Sequence, residues 1–143
     1  MKKKISIVTP TYNEDQNIEK LIFEIKKIMN SLQSKYDYEH IVIDNRSKDN
    51  TINILKKNAK VDKNLKVIIN TRNFGCIRSP FYGLLQTKGD ASIFLNADFQ
   101  DPPELIPDYI QSWEKGYRIT LAQKTKTNDS FIMKFLKNFH QII

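Results

Sequence analysis

Apolar and polar residues follow two different spacings along the chain, and the changes of spacing mark the predicted elements. Helices are predicted where apolar residues recur at intervals of three and four, most clearly over 18–29 and 105–113 and more weakly near 52–56 and 81–85. Short runs rich in β-branched residues predict strands at 5–8, 41–43, 67–69 and 93–95, with a weaker fifth at 119–121. Strands alternating with helices favour an α/β fold with a mainly parallel sheet.

The predicted helices follow polar segments that carry helix-starting residues. Residues 11–14 fit a capping box, or Asn13 alone caps the first helix, and Ser47 or Asp49 is placed to cap the second. Asp101, followed by two prolines, predicts the start of the fourth helix. Helix capping is therefore the simpler role for Asp49 and Asp101.

Three polar clusters come directly after predicted strands, at 10–14, 44–51 and 96–104. The carboxyl ends of parallel strands share one edge of the sheet, so we expect the three clusters to converge on one ligand there. Asp98 and Gln100 are two residues apart, and in extended backbone they would project to the same side. Their oxygen atoms suit Mg²⁺ or Mn²⁺, which usually also binds substrate phosphates.

The composition is that of one globular domain, which we assign to residues 1–143. The chain of 143 residues carries a net charge of +7, which fits a phosphate-bearing partner, although a general preference for lysine explains it equally well. The basic residues are scattered and not interleaved with aromatic residues, so no nucleic-acid partner is expected. A single cysteine, Cys76, and no long apolar run indicate a cytoplasmic protein.

Residues 129–143 have the pattern of an amphipathic helix. Phe131, Phe135 and Phe139 form one apolar stripe, and Lys134 lies on the opposite side. Such a helix can lie on an anionic membrane surface, pack on the domain's own sheet, or support self-association. The apolar pattern continues to the last residue, so we expect a truncated domain whose missing region would bind the acceptor.

Motifs along nearly the whole chain, residues 5–142, resemble those of a known enzyme family. The matching residues are Gly83 and the segments 8–14, 44–51, 73–75, 88–90 and 97–104. They resemble family 2 inverting glycosyltransferases of GT-A fold, in the branch that includes dolichol-phosphate mannose synthase and undecaprenyl-phosphate sugar transferases. The resemblance implies a three-layer α/β/α domain that binds nucleotide-diphospho-sugars, with only the N-terminal part present.

The resemblance also implies roles for residues of the first two clusters. Pro10, Tyr12 and Glu14 would line the pocket for the base and ribose of a UDP- or GDP-linked sugar. Asp44 would accept a hydrogen bond from the base, as an ionised carboxylate does strongly.

In the third cluster, Asn96-Ala97-Asp98 corresponds to the family's Asp-x-Asp pattern and would contact the donor. Asp98 and Gln100 would ligate Mg²⁺ or Mn²⁺ beside the donor diphosphate. Lys124 stands where the family often has an arginine that meets a phosphate. Asp98 and Lys124 are the expected catalytic residues.

Two motifs depart from the family pattern. Asn96 replaces the first aspartate, which removes one negative charge from the expected metal site, and Asp44-Asn45-Arg46 stands where Asp-Asp-Gly is common.

The expected function is inverting transfer of a sugar to polyprenyl phosphate or to a surface polysaccharide precursor. This transfer would serve cell-envelope polysaccharide biosynthesis, with the protein associated with the cytoplasmic face of the membrane. The alternative is a catalytically inactive or truncated module that binds nucleotide-sugars.

Overall fold

Strands and helices alternate as predicted through residues 2–122, the part of the chain that the computed structural model describes. The elements are β1 (Lys3–Thr11), α1 (Ile18–Ser31), β2 (Tyr36–Asp44), α2 (Thr51–Val61), β3 (Leu65–Ile69), α3 (Gly75–Leu85), β4 (Ala91–Phe94), a 3₁₀ turn (Pro103–Leu105) and α4 (Ile106–Glu114).

The four strands form one parallel sheet in the order β3-β2-β1-β4. In its register Thr11 of β1 lies beside Asp44 of β2, and Val8 lies beside Phe94 of β4. The prediction of a mainly parallel α/β sheet is thus confirmed. Because β1 is central, the loop after it runs between the loops that follow β2 and β4.

Helices cover both faces of the sheet. Ile5 and Ile7 of β1 belong to the buried cluster that includes the apolar sides of α1, α2 and α4. Val8 points the other way and meets α3 at Gly83, where an added Cβ would lie 3.1 Å from the Val8 Cγ1 atom and 3.0 Å from the Ile43 Cγ2 atom. The result is the predicted three-layer α/β/α arrangement.

Helix α3 contacts the sheet through small residues. Ser79 and Gly83 are buried, whereas Phe81 and Leu85 are 60% and 64% exposed. The apolar spacing that predicted this helix therefore gave the wrong inward face. Gly83 lets the helix backbone approach the sheet closely, and this turns the larger side chains outward.

A buried carboxylate links the strands near their amino ends. Glu39 is 1% exposed and accepts hydrogen bonds from Ser6 Oγ at 2.7 Å, from the Lys88 N–H at 2.7 Å and from the ammonium groups of Lys4 and Lys66. Burial alone would raise the pKa of Glu39, but these hydrogen bonds outweigh it and lower the pKa to about 2. The connection between α3 and β4 is thereby tied to β1 and β2.

The weak fifth strand predicted at 119–121 is wrong. Ile119 and Leu121 are 82% and 86% exposed and have no strand assignment. A strand is stabilised by a neighbouring strand, and within residues 2–122 β4 pairs only with β1.

All three predicted helix starts differ in detail. Helix α1 begins at Ile18, after a turn in which the Ile18 N–H donates to the Glu14 carbonyl at 2.9 Å, so the predicted capping by residues 11–14 is wrong. At α2 the N-cap is Asn50; Asp49, one residue earlier, accepts the Thr51 N–H with Oδ1 at 3.0 Å, while Ser47 bonds elsewhere. The two prolines lead into the 3₁₀ turn and α4 as predicted, but Pro102 is the N-cap and no side chain caps the turn, so the predicted capping by Asp101 is wrong.

Across residues 2–122, none of the helices combines the length and the apolar character that crossing a bilayer requires. The predicted amphipathic helix 129–143 and Lys124 lie outside the described residues.

Candidate functional site

The loops after β1 and β2 are joined by hydrogen bonds into one unit. The Asn13 N–H donates to Ser47 Oγ at 2.8 Å, and the Lys48 N–H donates back to Asn13 Oδ1 at 2.8 Å. The Glu14 N–H donates to Thr51 Oγ1, also at 2.8 Å. Two of the three predicted clusters thus meet at the carboxyl edge of the sheet. The sequence had not indicated that Ser47 and Thr51 join them.

Each of the three loops contains one residue with left-handed backbone. Asn13, Arg46 and Phe99 have φ angles of 58°, 68° and 59°, and within residues 2–122 they are the non-glycine residues with positive φ. This conformation costs roughly 1–2 kcal/mol for a residue with a side chain. Such strain concentrates at functional sites, where the surrounding structure maintains it. The three strained residues therefore mark the same edge that the polar clusters had indicated.

The Asp44 carboxylate is buried and engaged by its own loop. Asp44 is 0% exposed, and its Oδ1 accepts the Ser47 N–H at 2.9 Å. Its Oδ2 accepts the Ser47 hydroxyl and the Thr11 hydroxyl, the latter at 3.2 Å. These bonds hold the turn in which Arg46 is left-handed. The expected hydrogen bond from a base to Asp44 stays a prediction.

Asn45 connects the same loop to the segment between β3 and α3. Its Oδ1 accepts the Phe74 N–H at 2.8 Å and Asn70 Nδ2 at 3.2 Å, while its Nδ2 donates to Asn73 Oδ1 at 2.9 Å and to the Gly75 carbonyl at 3.2 Å. We call Asn45, Asn70 and Asn73 the asparagine cluster. Segment 73–75 is one of the motifs that carry the family resemblance, but its sequence does not indicate these contacts.

The predicted pocket residues of the first loop differ in accessibility. Tyr12 is 42% exposed, so its ring is available for stacking. Pro10 is half-buried at the end of β1. Glu14 Oε2 accepts Asn17 Nδ2 at 2.9 Å, which fixes its carboxylate at the start of α1. All three residues lie at the edge where the clusters meet.

The loop after β4 turns earlier than predicted. Strand β4 ends at Phe94, and the chain turns at residues 97–98 before the left-handed Phe99. Asp98 Oδ1 accepts the Gln100 N–H at 3.0 Å inside this turn. The expectation of extended backbone across Asp98 and Gln100 is therefore wrong. Asn96 contacts Asp101 at 3.4 Å, and Ala97 is buried.

The donor set fits a cation that shares its ligands with a substrate. Asp98 and Gln100 are both exposed and offer carboxylate and amide oxygens. Among residues 2–122, no three acidic, histidine or cysteine side chains form a group that could hold a metal ion. Mg²⁺ typically uses one or two carboxylates, water and substrate phosphates, so a single carboxylate at Asp98 suits it or the similar Mn²⁺.

Comparison with known proteins agrees with this geometry. The profile described as "Glycosyl transferase family 2" matches residues 6–138. The chain belongs to glycosyl transferase family 2. The predicted family is thus confirmed.

Two relatives illustrate the similarity. The uncharacterized glycosyltransferase YkcC of Bacillus subtilis is 36% identical over 129 residues, which are 90% of this chain and 39% of the relative. The undecaprenyl-phosphate 4-deoxy-4-formamido-L-arabinose transferase of Proteus mirabilis is 34% identical over 92% of this chain and 40% of its own length. The chain thus spans about two-fifths of the relatives that it matches.

Solved structures show the same fold. Glucosyl-3-phosphoglycerate synthase of Mycobacterium tuberculosis, in complex with Mn²⁺, UDP and glucosyl-3-phosphoglycerate, matches with a TM-score of 0.58 and 24% identity, covering 78% of this chain and 39% of that protein. The mannosyltransferase PcManGT of Pyrobaculum calidifontis, in complex with GDP-mannose and Mn²⁺, matches with a TM-score of 0.53 and 23% identity over 68% and 28%. The predicted GT-A fold of this glycosyltransferase domain is confirmed.

Proposed function

We propose that this family 2 domain is the donor-binding part of an inverting glycosyltransferase that transfers a sugar from a UDP- or GDP-linked donor. One observation carries the proposal: three loops, each with one strained residue, lie at the carboxyl edge of the sheet in a chain that belongs to this family. Ligands of open α/β sheets bind at this edge. The complexes of structural neighbours with UDP or GDP-mannose support this class of donor.

The exposed residues of the site suggest how the donor binds. The Tyr12 ring would stack on the base, with Pro10 and Glu14 beside the ribose. Asp98 and Gln100 would hold Mg²⁺ or Mn²⁺ against the diphosphate, with Asn96 and Ala97 beside the donor. When bound, the cation would neutralise the charge that builds up on the leaving nucleoside diphosphate.

The acceptor in this proposal is polyprenyl phosphate, or another precursor of a surface polysaccharide, at the cytoplasmic face of the membrane. The relative that acts on undecaprenyl phosphate supports this class of acceptor. A phosphate oxygen is already anionic, so it attacks the anomeric carbon without a strong general base. Positioning and electrostatic stabilisation would then supply most of the rate. Lys124 is the candidate cation for the phosphate group.

A second candidate function is a nucleotide-sugar-binding module without turnover. Asn96 stands in the place of a carboxylate, and within residues 2–122 no three-ligand metal group is present. In that case the chain would bind the donor but leave it intact. Incubation with UDP- and GDP-sugars and undecaprenyl phosphate distinguishes the two functions, because only the first yields a glycosylated lipid.

Calorimetric titration with UDP and with GDP, each with and without Mn²⁺, tests donor binding directly. We expect binding of at least one nucleotide, and Mn²⁺ should strengthen it. Tyr12→Ala should weaken binding in either condition, whereas Asp98→Ala should remove only the Mn²⁺-dependent part. Asp108→Ala, which removes an exposed carboxylate on α4, serves as the matched control. Binding of neither nucleotide by the unmodified chain would refute the proposal.

A further inference from the structure

We propose that Asn45 is a positioning residue that fixes segment 70–75 as one wall of the donor site. This inference deepens the proposed function and rests on it for the identity of the ligand.

The first reason is that the Asn45 side chain has no hydrogen-bonding capacity left. A carboxamide has two donor hydrogens and two acceptor lone pairs. Its two hydrogens go to Asn73 Oδ1 and the Gly75 carbonyl, and its two lone pairs receive the Phe74 N–H and Asn70 Nδ2. Asn45 is only 7% exposed. A ligand would have to break one of these four bonds to use Asn45.

The second reason is that the bonds of Asn45 all lead to one segment. Segment 70–75 leaves β3 beside Asp44, where the Asn70 N–H donates to the Asp44 carbonyl at 2.9 Å. Asn70 Nδ2 also donates to Ser79 Oγ at 2.8 Å, which ties the segment to α3. The asparagine cluster therefore holds segment 70–75 at the edge where the strand-end loops meet.

The third reason is that segment 70–75 carries the positive charge of Arg72, whose position depends on Phe74. Arg72 lies over the Phe74 ring, 4.8 Å from its centroid, and the Phe74 N–H is one of the groups bonded to Asn45. Holding Phe74 in place thus also limits where the exposed Arg72 can reach. If segment 70–75 were released, the side chains of Arg72 and Phe74 would become mobile. Nucleotide binding would then be weaker by the free energy needed to order them again.

Hydrogen exchange of the full chain without nucleotide tests the positioning role alone. Asn45→Ala removes all four bonds, so amides of residues 70–75 should exchange at least tenfold faster while those of α1 stay unchanged. Asn45→Asp keeps the two acceptor positions and should give an intermediate result. The control is Asn53→Ala on α2, which removes an exposed amide bonded to Asn50. Unchanged exchange in segment 70–75 of Asn45→Ala would overturn the inference.

Titration with UDP and GDP in Mn²⁺, well below the melting temperature of each variant, tests the link to the donor site. Asn45→Ala should weaken UDP binding at least fivefold, and Asn45→Ala combined with Asn73→Ala should weaken it little further, because both act through the same bond. Faster exchange with unchanged UDP affinity would overturn the positioning role. If that chain binds no nucleotide, the proposed function fails, while the exchange experiment still decides whether Asn45 holds the segment.

Discussion

Replacing Glu39 by glutamine tests how far one buried charge stabilises the fold. The substitution removes the negative charge but nearly preserves the side-chain volume, so it opens no cavity. The carboxylate is 1% exposed and bonded to Ser6, Lys4, Lys66 and the Lys88 N–H. In the variant, the amide leaves two ammonium groups without their anionic partner. We therefore expect a large loss of stability at neutral pH.

The magnitude follows from the lowered pKa. The pKa of Glu39 falls from the ordinary 4.5 to about 2 in the folded protein. At about 1.4 kcal/mol for each pH unit, this corresponds to about 3 kcal/mol of folding free energy. Because the folded-state pKa is the lower one, this stabilisation is complete above about pH 5 and is lost as the pH falls towards 2.

Urea unfolding followed by circular dichroism, at several values between pH 7 and pH 2, measures the effect. Glu39→Gln should be about 2–3 kcal/mol less stable than the unmodified chain at pH 7, and the difference should shrink towards pH 2. Glu104→Gln, at an exposed carboxyl, is the control and should change little. A loss below about 0.5 kcal/mol at pH 7, or a difference that does not vary with pH, would refute the assigned role of Glu39.

Three further predictions concern the loops and glycines. Arg46→Gly should raise the free energy of unfolding by about 0.5–1 kcal/mol because it relieves the positive φ of 68°, and in urea unfolding Arg46→Ala should show no such gain. Gly89→Ala would place a Cβ 2.7 Å from the Lys4 carbonyl oxygen and should lower stability by about 2 kcal/mol or more. Gly116→Ala has open space around it but a φ of 94°, so it should lower stability by only about 1 kcal/mol. Equal melting temperatures of the two variants would contradict this. Chelation of Mn²⁺ by EDTA should weaken calorimetric UDP binding to the level of Asp98→Ala, and a remaining gap between the two would place the metal elsewhere.

The two central strands were predictable because helices cover both of their faces. Parallel strands between helix layers have nearly continuous β-branched runs, and those at 5–8 and 41–43 lie inside β1 and β2. The true β1 extends from Lys3 to Thr11, because main-chain pairing continues past the apolar residues. The face of α3 that packs on the sheet was not predictable from apolar spacing. It approaches the sheet through small residues such as Gly83, which contribute no large apolar side chain to the pattern.

The residue types at the site were predictable, but several of their contacts were not. Polar clusters after strands indicated the edge of the sheet at which their loops lie, and a residue pattern suggested oxygen ligands at Asp98, which stays a prediction. The left-handed conformation of Phe99 was not visible in the sequence, because bulky residues rarely adopt it, and it replaces the extended backbone expected between Asp98 and Gln100. The four partners of Asn45 lie 25–30 residues further along the chain, so these hydrogen bonds form only when the fold brings the two segments together.

The bonds between the first two loops set which positions a library design can vary. The main-chain N–H groups of residues 13–15 donate to the side chains of Ser47, Thr51 and Asp49, respectively. A main-chain donor survives most substitutions, whereas each acceptor depends on one particular side chain. Randomising residues 12 and 14–15 should therefore yield many folded variants with altered ligand preference. Randomising 47, 49 and 51 should yield few, so engineering of new donor preferences is best confined to the first loop.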